Sequence, residues 1–202
     1  DGRRRGWGQR MTPARRFQHV AVVMGGRSEE REVSLSTGRA CAAALAENYR
    51  VTAFDFTGDV PALADVFLGG DAPEAVFNAL HGRYGEDGTV QGLFDLLGIP
   101  YSHSGVQASA LAIDKAASRR LFTQTGLRVP PGRTVPIALA EKAFKPPFVV
   151  KPVAEGSSVG VHIVRENDNR GVLNSWSFGD EVLVEQYIPC LLYTSPSPRD
   201  RS

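Results

Sequence analysis

Three acidic side chains follow a glycine turn near the start of the chain. The apolar run VAVVM is followed by Gly25 and Gly26, and then by Glu29, Glu30 and Glu32. A strand-to-helix turn of this kind lies at the carboxyl edge of a parallel sheet, where ligands bind. The N-terminus of a helix attracts an anion, but these carboxylates favour an ammonium group instead. Helix capping is the alternative for Glu30 and Glu32, since acidic residues stabilise a first turn by about 0.3–1 kcal/mol.

A second charged segment, LHGRYGEDG, contains His81 directly after an apolar run. We expect His81 at the same edge of the sheet as Glu30, because the carboxyl ends of parallel strands share one edge. Two charged loops that meet at one edge favour a binding site. The alternatives are a structural His81, and a role for Glu86 and Asp87 limited to capping the following helix.

A third motif, PFVVKPVAEGSSVGV, carries Lys151 within an apolar strand. A buried lysine is costly unless a partner compensates its charge, and a triphosphate is a suitable partner. The following loop contains Gly156, Ser157, Ser158 and Gly160, whose small size lets backbone N–H groups approach phosphate oxygens. A plain hairpin turn is the alternative. Taken alone, Lys115 on a helix and Glu185 at the end of a strand have no assigned chemistry.

The elements that must position these side chains follow from the apolar patterning. In the first part, strands are predicted at VAVVM, YRVTAFDF, EAVFNAL and IPYSHS, and helices over 30–47, 61–68 and 108–126 and at TVQGLFDLLG. Alternating strands and helices predict an α/β unit with a parallel sheet. After residue 126, LRVPPGRTV, PFVVKP, VGVHIVRE and EVLVEQYI predict a smaller α+β unit with an antiparallel sheet.

Length and composition limit the class of protein. The 202 residues are 42% hydrophobic and 22% charged, as in globular proteins. The 23 basic and 22 acidic residues give a net charge of +1, which argues against a protein that coats nucleic acid. Cys41 and Cys190 are too few for a disulfide framework, and no apolar segment approaches the about 20 residues that span a membrane. We therefore expect a cytoplasmic protein.

Both ends of the chain differ in composition from the segment between them. Residues 1–16 are predicted to be a disordered leader, either a flexible basic arm or upstream codons before Met11. Residues 190–202 contain CLLYTSPSPRD, which resembles the translation of a sequencing adapter, with a natural flexible tail as the alternative. We interpret 190–202 as non-native and expect the biological chain to continue differently beyond Pro189.

Together the motifs resemble the D-alanine–D-alanine ligases of the ATP-grasp superfamily. The similarity rests on GGRSEEREVSLSTG, ALHGRYGEDGTVQGLFDLLGIPYSHSGVQASALAIDK, VVKPVAEGSSVGV and EVLVEQYI, and extends from Val20 to Pro189. It implies a Rossmann-like, parallel-sheet substrate-binding domain over 17–113. It also implies the first α+β lobe of an incomplete ATP-grasp domain over 114–189.

The resemblance implies an ATP-dependent reaction that joins two D-alanines through an acyl phosphate for peptidoglycan synthesis. Glu30 would bind the ammonium of the first D-alanine, and His81 would lie beside the same substrate. Ser157 would form a hydrogen-bonded network with Glu30. The alternative enzymes are D-alanine–D-lactate and D-alanine–D-serine ligases, and the alternative class is a non-catalytic nucleotide binder with an ATP-grasp fold.

The same resemblance assigns a nucleotide site. Lys115 and Lys151 would reach the ATP phosphates from two directions, and Ser158 would donate to a phosphate. Glu185 and the backbone at Gln186 and Ile188 would contact the adenine. A homodimer and two Mg²⁺ ions are also implied, but the ligands of the metal would belong to family sequence that this chain lacks.

We predict that the chain of 202 residues is catalytically inactive by itself. Without bound Mg²⁺ the charge on a transferring phosphoryl group is not compensated. The measurement is D-alanine-dependent release of phosphate from ATP by the purified chain, with L-alanine as the control. Release above the L-alanine background would contradict the prediction.

Overall fold

Two consecutive units of the chain have different sheets. The computed structural model describes residues 17–156, 159–166 and 176–189, so the predicted leader and tail and the predicted site residues Ser157 and Ser158 lie outside the described residues. The first unit contains β1 (His19–Gly25), α1 (Arg31–Ala46), β2 (Arg50–Phe56), α2 (Val60–Asp65), β3 (Ala75–Asn78), α3 (Thr89–Leu97) and α4 (Val106–Ile113). The second contains α5 (Lys115–Gln124), β4 (Gly132–Pro136), a 3-10 helix (Ile137–Lys142), β5 (Phe148–Pro152), β6 (His162–Val164) and β7 (Glu181–Gln186).

The first unit is built on a parallel sheet with the order β2–β1–β3, which confirms the predicted fold class. Every residue of the central strand β1 is buried. Ala21 and Val23 pack in a core cluster with Phe94 of α3, whereas Val22 packs in a second cluster with Leu35 of α1. Burial of both faces explains why the strand is a continuous apolar run rather than an alternating one.

The prediction of a fourth strand at IPYSHS is wrong. It forms a single parallel bridge, between Val76 and Tyr101. The N–H of Ser102 donates to the carbonyl of Val76 at 2.9 Å, but the N–H of Asn78 donates to the Ser102 hydroxyl at 3.1 Å. The ladder ends there because a side chain replaces the backbone acceptor.

The predicted single helix over 108–126 is also wrong, because it is two helices that meet at Asp114. Asp114 has an extended backbone (φ −79°, ψ 99°), and its carboxylate accepts from the N–H of Ala117 at 2.8 Å. An aspartate in this geometry caps the start of a new helix. Lys115 therefore occupies the first position of α5.

Within the described residues, no helix has the length and apolar character that crossing a membrane requires.

The second unit has an antiparallel sheet with the order β4–β7–β5–β6, as predicted. One face forms a core cluster that includes Phe148, Val150, Val182 and Val184. In β5 and β7 the alternate residues face the other way. Lys151 pairs in register with Leu183, and Val149 pairs with Glu185, so this second face carries charged side chains.

We predict that Gly38→Ala destabilises the fold although alanine is the better helix former. Gly38 lies in α1 against β1, where an ideal Cβ would be 2.4 Å from the Cβ of Met24. Such overpacking costs about 1–3 kcal/mol. The matched control is Gly92→Ala in α3, whose Cβ would be 3.9 Å from its nearest neighbour, Val106. That variant should gain up to about 1 kcal/mol of unfolding free energy in urea titrations, and equal stability of the two variants would contradict the prediction.

Candidate active site

Glu30 lies immediately before α1, at the carboxyl edge of the parallel sheet. Its side chain makes no capping hydrogen bond to the helix N-terminus, so the carboxylate is not used as a cap. The turn is held instead by Ser28 and Ser34. The Ser34 hydroxyl accepts from the N–H of Gly25 at 2.8 Å and donates to the carbonyl of Ala79 at 2.7 Å. This hydroxyl therefore joins the end of β1 to the segment after β3.

The structure brings the Glu30 turn and the His81 loop together. The Ser28 hydroxyl donates to the carbonyl of His81 at 2.8 Å. An ideal Cβ on Gly82 would lie 3.4 Å from Oε2 of Glu30. The two loops that sequence reasoning placed at one edge of the sheet are thus in contact.

His81 has a carboxylate on one side and an unused nitrogen on the other. Its Nδ1 lies 3.6 Å from Oε1 of Glu86, and Oε2 of Glu86 accepts from the N–H of Gly82 at 2.8 Å. The Nε2 atom of His81 is buried and has no hydrogen-bond partner among the described residues. A buried ring nitrogen without a partner is uncommon and can bond to a ligand.

Capping is the structural role of Asp87 but not of Glu86. The carboxylate of Asp87 accepts from the N–H groups of Tyr84 and Thr89, each at 2.9 Å. Burial opposes the charge of Asp87, but these hydrogen bonds outweigh burial and lower the pKa of this carboxyl below its ordinary value. The sequence left capping open as an alternative for both acidic residues, and it gave Glu86 no role beside His81.

Two amide side chains that sequence reasoning missed hold the loop that follows His81 by hydrogen bonds to its backbone. Asn78 and Gln91 both donate to the carbonyl of Gly85, at 2.9 Å and 2.7 Å. Both amides are buried. The signal in the sequence is an amide within an apolar stretch, because a buried amide requires a hydrogen-bonding partner.

A second group of charges lies on the open face of the antiparallel sheet. Glu185 of β7 is buried, and its carboxylate is bonded by Lys151 of β5 and by Arg119 of α5. Lys115, also on α5, donates to the carbonyl of Glu155. Arg119 is another residue that sequence reasoning missed, since an arginine on an amphipathic helix normally faces solvent.

A cavity of about 370 Å³ separates α5 from this face of the sheet. Its lining residues are Ala112, Lys115, Ser118, Arg119, Phe122, Lys151, Leu183 and Glu185. Burial, followed by repulsion from Lys151, lowers the pKa of Lys115. Three cations and one carboxylate line the cavity, so it is suited to an anion. The predicted adenine contacts Gln186 and Ile188 are both exposed and do not line this cavity.

The loop after β5 connects the two charged groups. An ideal Cβ on Gly156 would lie 2.9 Å from Oε2 of Glu30 and 3.3 Å from Oε2 of Glu86. The residue before this glycine supplies the carbonyl that accepts from Lys115. The backbone at Gly156 therefore lies close to the carboxylates of the first unit, and a side chain at this position would have to displace them.

No cluster of three or more histidine, cysteine, aspartate or glutamate side chains that could hold a metal ion occurs in the described ranges. The predicted ammonium ligand Glu30 and the predicted phosphate ligands Lys115 and Lys151 lie in two groups of charged side chains, which the loop at Gly156 joins.

Comparison with known proteins identifies the family. The family model described as "D-ala D-ala ligase N-terminus" matches residues 69–104, and "D-ala D-ala ligase C-terminus" matches 133–191. The D-alanine--D-alanine ligase of Granulibacter bethesdensis is 53% identical over 178 residues, which are 86% of this chain and 57% of the relative. That of Gluconobacter oxydans is 50% identical over 188 residues, 91% of this chain and 62% of the relative.

Solved structures agree with this comparison. The D-alanine--D-alanine ligase of Bacillus anthracis superposes with a TM-score of 0.69 at 33% identity and covers 85% of this chain and 58% of its own. The D-alanyl-alanine synthetase A of Vibrio cholerae has a TM-score of 0.71 at 24% identity over 87% of this chain and 61% of its own, which supports the fold alone.

A parallel α/β unit followed by an antiparallel α+β unit with a lysine-lined face defines part of an ATP-grasp ligase. Within that class, the chain belongs to the D-alanine–D-alanine ligase family. It spans about 57% of the length of curated relatives with which it aligns.

We predict that removing Lys151 raises the pKa of Lys115 but leaves it below the ordinary value. Burial is the larger cause of the lowered pKa and stays in place, whereas the repulsion between the two ammonium groups is removed. In Lys151→Met, Lys115 should therefore release its proton at a higher pH than in the unchanged chain. The measurement is a ¹³C NMR titration of dimethylated lysines. The control Lys142→Met removes an exposed lysine, and an equal change in both variants would contradict the prediction.

Proposed function

We propose that the whole protein joins two D-alanines at the expense of ATP, with this part of the chain binding the first D-alanine and the nucleotide. One observation carries the proposal. The carboxylate of Glu30 and the cavity that contains Lys115 and Lys151 are joined by a single loop, at Gly156. An anionic pocket beside a cationic cavity can hold an amino acid by its ammonium group and direct its carboxylate towards a phosphate.

The substrate side of the site uses Glu30 and His81. The Glu30 carboxylate makes no capping hydrogen bond and would bind the ammonium of the first D-alanine. The unpartnered Nε2 of His81 would bond to the same substrate. Glu86, close to Nδ1 of His81, would orient the ring. Ser157 would extend the network to Glu30 from the loop.

The nucleotide side uses the open face of the antiparallel sheet. Lys115 and Lys151 line one cavity and would stabilise the phosphates, with Ser158 donating from the loop. Glu185 and the backbone at Gln186 and Ile188 would contact the adenine. Such fixed cations lower the barrier to phosphoryl transfer by stabilising charge, and a closed loop protects an acyl phosphate from water.

The remaining properties extend the same proposal. Mg²⁺, when bound, would neutralise charge on the transferring phosphoryl group, and its ligands would come from the family sequence beyond the matched part. The reaction would serve peptidoglycan synthesis and hence cell shape, and it would take place in the cytoplasm. The relatives are named for D-alanine in both positions, which favours a dipeptide product over D-alanyl-D-lactate or D-alanyl-D-serine.

The test is a chimaera in which residues 17–189 are joined to the remaining C-terminal sequence of the Granulibacter bethesdensis relative. We expect D-alanine-dependent release of phosphate from ATP. Glu30→Gln and Lys151→Met should each lower kcat/KM by at least about 100-fold, as expected for a lost charged contact in the transition state. Phosphate release that does not require D-alanine would refute the ligase proposal.

Matched control variants show whether the loss of activity comes from a contact in the site or only from the change in net charge. Glu29→Gln makes the same change at the exposed neighbouring residue, and Lys142→Met removes an exposed lysine. Both should stay within about twofold of the unchanged chimaera, as for surface substitutions away from the site. Equal losses in Glu29→Gln and Glu30→Gln would remove Glu30 from the substrate site.

A further inference from the structure

The buried carboxylate of Glu185 is shared between two cations. Only 6% of Glu185 is exposed. Lys151 donates to Oε2 at 2.5 Å, and Arg119 donates to Oε1. A buried carboxylate that loses its partners is strongly disfavoured, so at least one cation must remain with it.

Arg119 is held in place by more than this carboxylate. Its Nη2 donates to the carbonyls of Pro130 at 2.7 Å and Gly132 at 3.4 Å, and its side chain is only 16% exposed. The guanidinium therefore connects α5 to the start of β4 and to Glu185 at the same time. The planar fork of arginine makes such a double contact possible, whereas a lysine ammonium is a single point of charge.

Lys151 is held far less firmly. Glu185 is its one hydrogen-bond partner in the described ranges, and its side chain is 30% exposed. It lines the same cavity as Lys115, and the two ammonium groups repel each other. An anion in this cavity would relieve that repulsion and attract Lys151 away from Glu185.

We propose that Arg119 is a positioning residue of the nucleotide site. It keeps the Glu185 carboxylate charged and in place when Lys151 exchanges that carboxylate for a phosphate oxygen. The inference rests on the proposed nucleotide site. It adds a residue whose contact with the nucleotide is indirect, through Glu185 and Lys151.

The first measurement is ATP affinity by titration calorimetry on the chimaera described above, which is the unchanged chain in the comparisons that follow. Arg119→Met should weaken binding about tenfold, the loss expected for one charge-assisted hydrogen bond. The matched control Arg120→Met removes the exposed neighbouring arginine and should stay within about twofold. Arg119→Lys keeps the charge but not the fork, so its loss should lie between these values.

The second measurement is proton uptake, which a purely structural role would leave unchanged. In Arg119→Met, Glu185 loses its last cation when Lys151 moves to the phosphate, and it should take up a proton. Titrations in buffers of different ionisation enthalpy should therefore show more uptake than in the unchanged chain, and ATP affinity should fall as the pH rises. Lys115, Lys151 and Glu155 surround the site in every variant, so the difference reports Glu185.

Each failure has a distinct signature. If the unchanged chain does not bind ATP, the nucleotide site itself is refuted, and this inference with it. If the unchanged chain binds ATP and Arg119→Met matches it in affinity and proton uptake, only the inference is overturned. If Arg119→Met does not fold, Arg119→Lys decides, because an affinity and a proton count equal to those of the unchanged chain would overturn the inference that the double contact of the guanidinium positions Glu185.

Discussion

Parallel strands cannot be joined by a tight turn, and the first unit depends on that constraint. The chain has to cross a face of the sheet between β1 and β3, so both strands end at the same edge. Glu30 follows the first of these strands and His81 follows the other, which brings an acidic turn and a histidine loop into contact. The Ser34 hydroxyl and the two amides that donate to the carbonyl of Gly85 then hold that contact through direct hydrogen bonds.

The second unit depends on a different constraint, because it holds several charged side chains at a partly buried face of its sheet. Antiparallel pairing places Lys151 beside Leu183 and two residues from Glu185 on one side of the sheet. The carboxylate is compensated twice, while Lys115 keeps a lowered pKa because burial and a second ammonium both oppose its charge. Such an excess of cations is costly without an anion and is suited to binding one.

Sequence reasoning predicted both sheets because the relevant patterns are local. The unbroken apolar run of β1 indicates a strand buried on both faces, and the change of pattern after residue 126 indicates a different sheet. The same reasoning was wrong where one hydrogen bond decides the outcome. Asp114 caps a new helix within an unbroken helical pattern, and the Ser102 hydroxyl ends a strand pairing after one bridge. Residue type alone does not show which acceptor a donor will find.

By itself, the sequence determined the family, the fold class and the charged motifs, since these depend on residue order and periodicity. Only the tertiary structure decided which charges meet. Glu86, for which capping had remained an alternative, lies beside His81, and Arg119, to which the sequence assigned no role, bonds to Glu185. The physical reason is that the role of a charged side chain depends on which groups it contacts in the folded chain. The surroundings of Arg119 come from residues 11 and 66 positions away, whose proximity depends on packing rather than on spacing along the chain.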